Sequence, residues 1–216
     1  MLRAIVFDLD GTLIDTPAAI VRVTRLATGR PDADEARVRA CIGLPVETLL
    51  ARVLAADEAG AEVAAARERF RDVWQADVVP RLADLVFPGV PAGLAALRAA
   101  GLKLGVATGK LQVGADRTVD MAGLRAHLDV VAGHDRVPRP KPHGDLARLV
   151  LRELGVAPDD AVVVGDSALD VAMARDAGVR SVAVTYGAQS EDELRAAGPT
   201  WLAPSFAAVV AMLTPG

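Results

Sequence analysis

Two aspartates, Asp8 and Asp10, follow a short apolar run near the start of the chain, in Phe7-Asp8-Leu9-Asp10-Gly11-Thr12. Three more groups of reactive residues follow similar runs: Thr108-Gly109-Lys110, then Lys141 within Arg139-Pro140-Lys141-Pro142, then Asp166 and Asp170 within Gly165-Asp166-Ser167-Ala168-Leu169-Asp170. Where such runs are strands of one open α/β sheet, the residues just beyond them lie at its carboxyl edge, the usual place of a reactive crevice. Three or four carboxylates gathered there repel one another unless a cation sits among them, and an all-oxygen set of hard ligands suits Mg2+. A lysine and a threonine hydroxyl aimed into the same crevice oppose that acidity and make a place for a dianion such as phosphate. Phosphoryl transfer needs mainly positioning and charge neutralisation around an in-line nucleophile, and this inventory contains both.

The positioning elements are legible as apolar runs rich in Val and Ile, the pattern of parallel strands buried on both faces. Ala4-Phe7, Leu104-Ala107, Ala161-Val164 and Ser181-Thr185 read as strands, and Asp129-Ala132 as a shorter one. Helical patterns separate them: Pro91 to Ala100 before Gly101, Gly144 to Leu154 before Gly155, and Leu169 to Ala177 before Gly178. Strand and helix in alternation predict an α/β fold, a doubly wound Rossmann-like parallel sheet with right-handed crossovers.

Between the first and second strands the chain is far longer than one crossover helix requires. It shows helical periodicity there, in Ala18-Thr28, Asp34-Cys41, Glu47-Ala56 and Ala61-Val78. We therefore expect a core made of residues 1–15 and 86–216 and an inserted helical subdomain over residues 16–85. Ile14-Thr16 and Val86-Gly89 are its candidate hinges. The loop Ile42-Gly43-Leu44 before Pro45, together with Lys110, is expected to meet the departing part of a substrate.

In that order, FDLDGT, VATGK, PRPKP and VVGDSALD resemble the motifs of the haloacid dehalogenase superfamily of aspartyl-phosphate phosphatases, and the resemblance spans essentially the whole chain. The branch it resembles carries a helical cap right after the first motif. Residue by residue, the resemblance implies that Asp8 attacks phosphorus and that Asp10 serves first as general acid and then as base. It implies Mg2+ held by Asp8, Asp166 and the backbone carbonyl of Asp10, with Asp170 at or just behind the metal shell. Thr108 and Lys141 would bind the phosphoryl group, the latter also neutralising Asp8, and the amides of Leu9 and Gly109 would face its oxygens.

The subclass is narrowed by what surrounds these motifs. Halide-removing members lack an acid at the place of Asp10. Phosphonate-cleaving members need a cap lysine, whereas Lys103, Lys110 and Lys141 all lie outside residues 15–85. The phosphosugar mutases carry Lys-Gly-Val-x-Arg in the cap loop where this chain has Ile42-Gly43-Leu44-Pro45-Val46, so mutase activity remains as the alternative within the superfamily. The resemblance is greatest to phosphoglycolate phosphatases and to phosphatases associated with aminohydroxybenzoate pathways, so the expected substrate is a small phosphorylated metabolite, glycolate-like or sugar-like. A non-catalytic phospho-aspartate receiver domain is the alternative from another class, but there the phosphorylated residue leaves a middle strand.

Composition sets the remaining bounds. The 216 residues are 52% hydrophobic and 24% charged, enough for one core and an inserted subdomain. A net charge of −4, aromatics at 3% and no basic block argue against a nucleic-acid partner. No apolar run is long enough to span a membrane. The single Cys41 excludes an internal disulfide, and a cytoplasmic location is expected. Nothing in the sequence sets an oligomeric state. Arg22, Arg25 and Arg39 are minor candidates for a substrate carboxylate, Asp15 and Ser167 for the site, and His127, His134 and His143 have no metal-ligand spacing.

Overall fold

Strands β1 (Ala4–Phe7), β2 (Lys103–Ala107), β3 (Val130–Ala132), β4 (Ala161–Gly165), β5 (Arg180–Val184) and β6 (Trp201–Ala203) form one sheet in the order β3-β2-β1-β4-β5-β6. All pairings are parallel, and the computed structural model describes residues 1–214 of the chain. The expected doubly wound α/β sheet is therefore present. A receiver domain winds in the order 2-1-3-4-5, so the topology also sets that alternative aside.

The sheet buries both faces, and period-two alternation decides which side chain goes where. Ile5, Phe7, Leu104, Val106, Val162 and Val164 pack on one side with α5 (Val90–Ala99) and α10 (Phe206–Leu213). Ala4, Val6, Ala107 and Val163 pack on the other with α7 (Asp145–Leu154) and α8 (Ala168–Asp176). Register aligns Phe7 of β1 with Val106 of β2 and Val164 of β4. Asp8, Thr108 and Asp166 thus leave the sheet side by side, where the direction of strand succession reverses between β1 and β4.

Between β1 and β2 the chain forms α1 (Pro17–Thr28), α2 (Glu35–Arg39), α3 (Val46–Leu54) and α4 (Ala61–Val73). The single helix expected over Ala61-Val78 is interrupted: after Val73 the backbone widens into a π-helical turn, Trp74–Val78, before a short 3-10 turn, Val79–Arg81. Entry and exit strands of this helical insert are clasped together. Ile14 and Val86 form an antiparallel bridge, Asp15 N–H donates to the Leu85 carbonyl at 2.7 Å, and Phe87 N–H donates to Leu13 at 3.1 Å.

Sequence reading missed α6 (Gln112–Met121), α9 (Glu191–Ala197), β6 and α10. α6 carries Gly, Asp and Thr inside it and buries only Ala115, Thr118 and Val119, so it has almost no apolar stripe to detect. β6 is a three-residue edge strand with an exposed Trp201. Among the described residues, no helix is long and apolar enough to cross a membrane.

Candidate active site

Asp8 is the first residue beyond β1, and its amide still donates to the Val164 carbonyl at 2.8 Å, so the sheet itself fixes its position. Lys141, from the loop between β3 and α7, donates to Asp8 Oδ1 at 2.6 Å and to Asp170 Oδ1 at 2.7 Å. Its side chain is fully buried. Asp170 is the third residue of α8. There it closes a capping box with Ser167, whose hydroxyl reaches Asp170 Oδ2 at 2.6 Å. One oxygen of Asp170 thus serves the helix end and the other holds Lys141.

Asp166 follows β4 directly and accepts from Thr12 Oγ1 at 3.1 Å and from the Ala188 amide at 2.6 Å. Oxygens of Asp8, Asp166 and Asp170 lie within 4.8 Å of one another, all buried. Three carboxylates against a single ammonium leave an excess of buried negative charge. Burial, only partly offset by Lys141, pushes the Asp8 carboxyl up to about 7. Burial, then the charges of Asp8 and Asp170, raises Asp166 well above the carboxylate range. Lys141 goes the other way: burial would lower it, but Asp170 and Asp8 more than offset that and hold it charged. A hard divalent cation answers this imbalance, and an oxygen-only donor set is the one it prefers, so the cluster fits a metal ion.

Asp10 lies two residues on, with both oxygens engaged. Oδ1 accepts from the buried Thr16 hydroxyl at 2.6 Å, and Oδ2 pairs with Lys110 Nζ at 3.0 Å. Lys110 is therefore held by a partner rather than left free to solvent. Its ammonium also lies 4.4 Å from the ring centre of Trp74, in the π-helical turn of the insert. Thr16 was not singled out from sequence, because no spacing rule points to it. Thr16→Val keeps the side-chain shape and leaves Asp10 short of a donor, so we expect about 1–3 kcal/mol less stability in urea unfolding. A loss under about 0.5 kcal/mol would mean that water replaces the hydroxyl.

Thr108, buried, accepts from the Lys110 amide at 3.3 Å through its hydroxyl, while its own amide continues the β2–β3 ladder to Ala132. Among the described residues the amides of Leu9 and Gly109 have no protein acceptor, which leaves both able to receive an anion. Gly109 has no room for a side chain: a Cβ would overlap the backbone carbonyls of Gly43 and Leu44, because the insert loop lies directly on it. Gly11, at φ +82°, is constrained twice over, since a Cβ there would run into the Asp166 carboxylate.

Next to this cluster a cavity of about 440 Å³ opens between insert and sheet edge, lined in part by Asp10, Ile42, Gly43, Leu44, Gly109 and Lys110. Arg22, Arg25 and Arg39 are not on its wall; Arg22 pairs with Asp77, Arg39 with Glu35, and Arg25 donates to the Ala33 carbonyl. Its arginines are Arg67, Arg71 and Arg117. Asp15 is exposed, while Ser167 is the buried cap of α8. Of the histidines, His134 reaches the cavity wall.

A family model described as haloacid dehalogenase-like hydrolase matches residues 5–184. A probable phosphatase of Dickeya dadantii, IndB, is 39% identical over 213 residues, covering 97% of this chain and 93% of that one. A plasmid-encoded phosphoglycolate phosphatase of Cupriavidus necator is 38% identical over 217 residues, covering 98% and 93%. Among solved structures, a predicted phosphatase from Clostridium acetobutylicum superposes with a TM-score of 0.85 at 26% identity, covering 99% and 98% of the two chains.

Proposed function

From the chain's membership of the haloacid dehalogenase-like hydrolases, as a phosphoric monoester hydrolase, we propose a Mg2+-dependent phosphatase that cleaves a small phosphomonoester through an aspartyl-phosphate at Asp8. The observation that carries this reading is the buried trio of Asp8, Asp166 and Asp170, with Asp8 and Asp170 paired with Lys141 and Asp8 two residues along the chain from Asp10, which lines the cavity. The similarity to a phosphoglycolate phosphatase supports a small phosphorylated metabolite as the substrate, over a macromolecule.

In this reading Asp8, Asp166 and the carbonyl of Asp10 would hold Mg2+, which would supply screening of the phosphoryl charge against the carboxylates. Lys141 holds Asp8 Oδ1 and opposes the charge of the incoming dianion. Thr108 and the amides of Leu9 and Gly109 cradle the phosphoryl oxygens. Asp8 attacks phosphorus, the ester P–O bond breaks, and Asp10 gives its proton to the departing oxygen. Asp10 then takes a proton from water, whose oxygen attacks phosphorus; the Asp8–phosphorus bond breaks and inorganic phosphate leaves. Residues 16–85 act as a cap that excludes bulk water, with Ile42, Gly43, Leu44 and Lys110 facing the leaving group.

Purified protein should release phosphate from p-nitrophenyl phosphate and from members of a metabolite panel only when Mg2+ is supplied. Absence of release from every member would end the reading. A second expectation concerns stability. The folded-state pKa of Asp8 lies above its ordinary value, so between about 4 and about 7 the folded protein binds more protons than the unfolded chain. Metal-free protein therefore loses stability as pH rises through that window. Mg2+ binds the ionised carboxylates, so its gain in melting temperature should be larger at pH 8 than at pH 5, about two units below the Asp8 value. Equal gains at both would contradict the assignment of the trio to a cation.

A further inference from the structure

Resting on the phosphatase reading above, we infer that the substrate's leaving group carries an apolar body of ring size, seated in the cavity between insert and sheet, and that phosphoglycolate is a poor substrate. The cavity, at about 440 Å³, is in the range that encloses a drug-sized ligand, whereas a two-carbon acid would leave most of it to water. Its walls are dominated by Ile42, Leu44, Leu49, Phe70, Trp74 and Val113. The Trp74 ring is fixed between Lys110 on one contact and a stacked Phe70 on another, with ring centres 5.7 Å apart and planes 10° apart. That makes a rigid aromatic wall rather than an adaptable one.

Two observations add direction. Val113, at the start of α6, is 74% exposed and lines the cavity, as does the exposed Leu111. Large apolar side chains left to water around an apolar cavity are surface that a ligand covers. The second concerns charge. Every lysine and arginine on the wall except the exposed Arg117 already faces a carboxylate: Lys110 faces Asp10, Arg67 faces Glu47 and Glu68, and Arg71 faces Glu68 and Asp72. The carboxylate of a glycolate ester would sit close to the phosphate, beside Asp8 and Asp10, and among the described residues the only wall arginine or lysine not already facing a carboxylate is the exposed Arg117.

The test compares phosphate release, with Mg2+ present, from ethyl phosphate, 2-phenylethyl phosphate and 2-phosphoglycolate. The first two differ by one ring at similar leaving-group chemistry. Burying that ring should raise kcat/KM for the phenylethyl ester about ten- to a hundredfold over ethyl phosphate, with 2-phosphoglycolate also below it. Phe70→Ala and Val113→Asp should each raise KM for the phenylethyl ester several-fold with kcat within about twofold. An active enzyme that prefers 2-phosphoglycolate, or an unchanged KM in both variants, overturns this inference and leaves the phosphatase reading standing. Release from none of the three, nor from p-nitrophenyl phosphate, overturns both.

Discussion

Asp8→Asn should release phosphate about ten-thousandfold more slowly than the wild type, or worse, as expected when a covalent nucleophile is removed. The variant should remain folded. Lys141 keeps an oxygen to donate to, and one of three crowded buried carboxylates is replaced by a neutral group. In metal-free protein at pH 8 the variant should therefore be at least as stable as the wild type, because the burial that raises the Asp8 pKa acts against its ionised form. Activity and stability would then move in opposite directions, which a folding defect cannot produce. Residual turnover above about a hundredth of wild type would instead place Asp8 among groups that only assist, the level typical of one general acid–base residue.

Lys141→Met is the second large effect, and its sign on stability is opposite. The lysine is buried with both Asp8 and Asp170 as partners, so removing it leaves three buried carboxylates with no ammonium. Breaking a buried ion pair from one side costs about 3–5 kcal/mol, a large part of the roughly 5–15 kcal/mol that keeps a domain folded. Urea unfolding in the absence of metal should show a loss of that size, and saturating Mg2+ should recover part of it. Phosphate release should fall as well, even with Mg2+ present and the fold restored. A variant as stable as wild type without metal would mean that the trio is already protonated there and needs no cation.

Asp8 was legible in the sequence because it directly follows β1, a Val- and Ile-rich run with no competing pattern, whereas Lys141 lies well beyond β3 and was legible only through its own motif, Arg139-Pro140-Lys141-Pro142. Register then carries Asp8, Thr108 and Asp166 to one edge without help from any distant contact. What was not legible depends on contacts between segments far apart in the chain. Nothing local marks Thr16 as the donor to Asp10, and nothing in residues 108–110 foretells that Lys110 reaches Asp10 and the Trp74 ring. That the minor candidates Arg22, Arg25 and Arg39 do not line the cavity was hidden for a similar reason. Arg22 and Arg39 are taken up by Asp77 and Glu35, whereas the cavity is bordered by Arg67 and Arg71 on α4, a face that becomes visible only when the insert is folded onto the sheet. The break in helix at Trp74 was equally hidden, since the apolar spacing of 61–78 reads smoothly through it.

Gly109 shows how the two halves constrain each other. Its missing side chain is required by the carbonyls of Gly43 and Leu44, so the loop that would face the leaving group is packed against the loop that would hold the phosphate. In the proposed mechanism, substrate selection by the insert and phosphoryl binding by the sheet edge would therefore be linked through this one backbone contact.

The central claim is that the phosphoryl group passes through Asp8. Asp10→Asn should slow hydrolysis of the intermediate, and an acyl phosphate is converted by borohydride to an alcohol, turning aspartate into homoserine. Asp10→Asn protein mixed with p-nitrophenyl phosphate and Mg2+, acid-quenched, reduced and digested, should yield by mass spectrometry the peptide holding residue 8 with homoserine at that position. Unmodified Asp8 in protein that has released p-nitrophenol, or homoserine at another aspartate, would contradict the account.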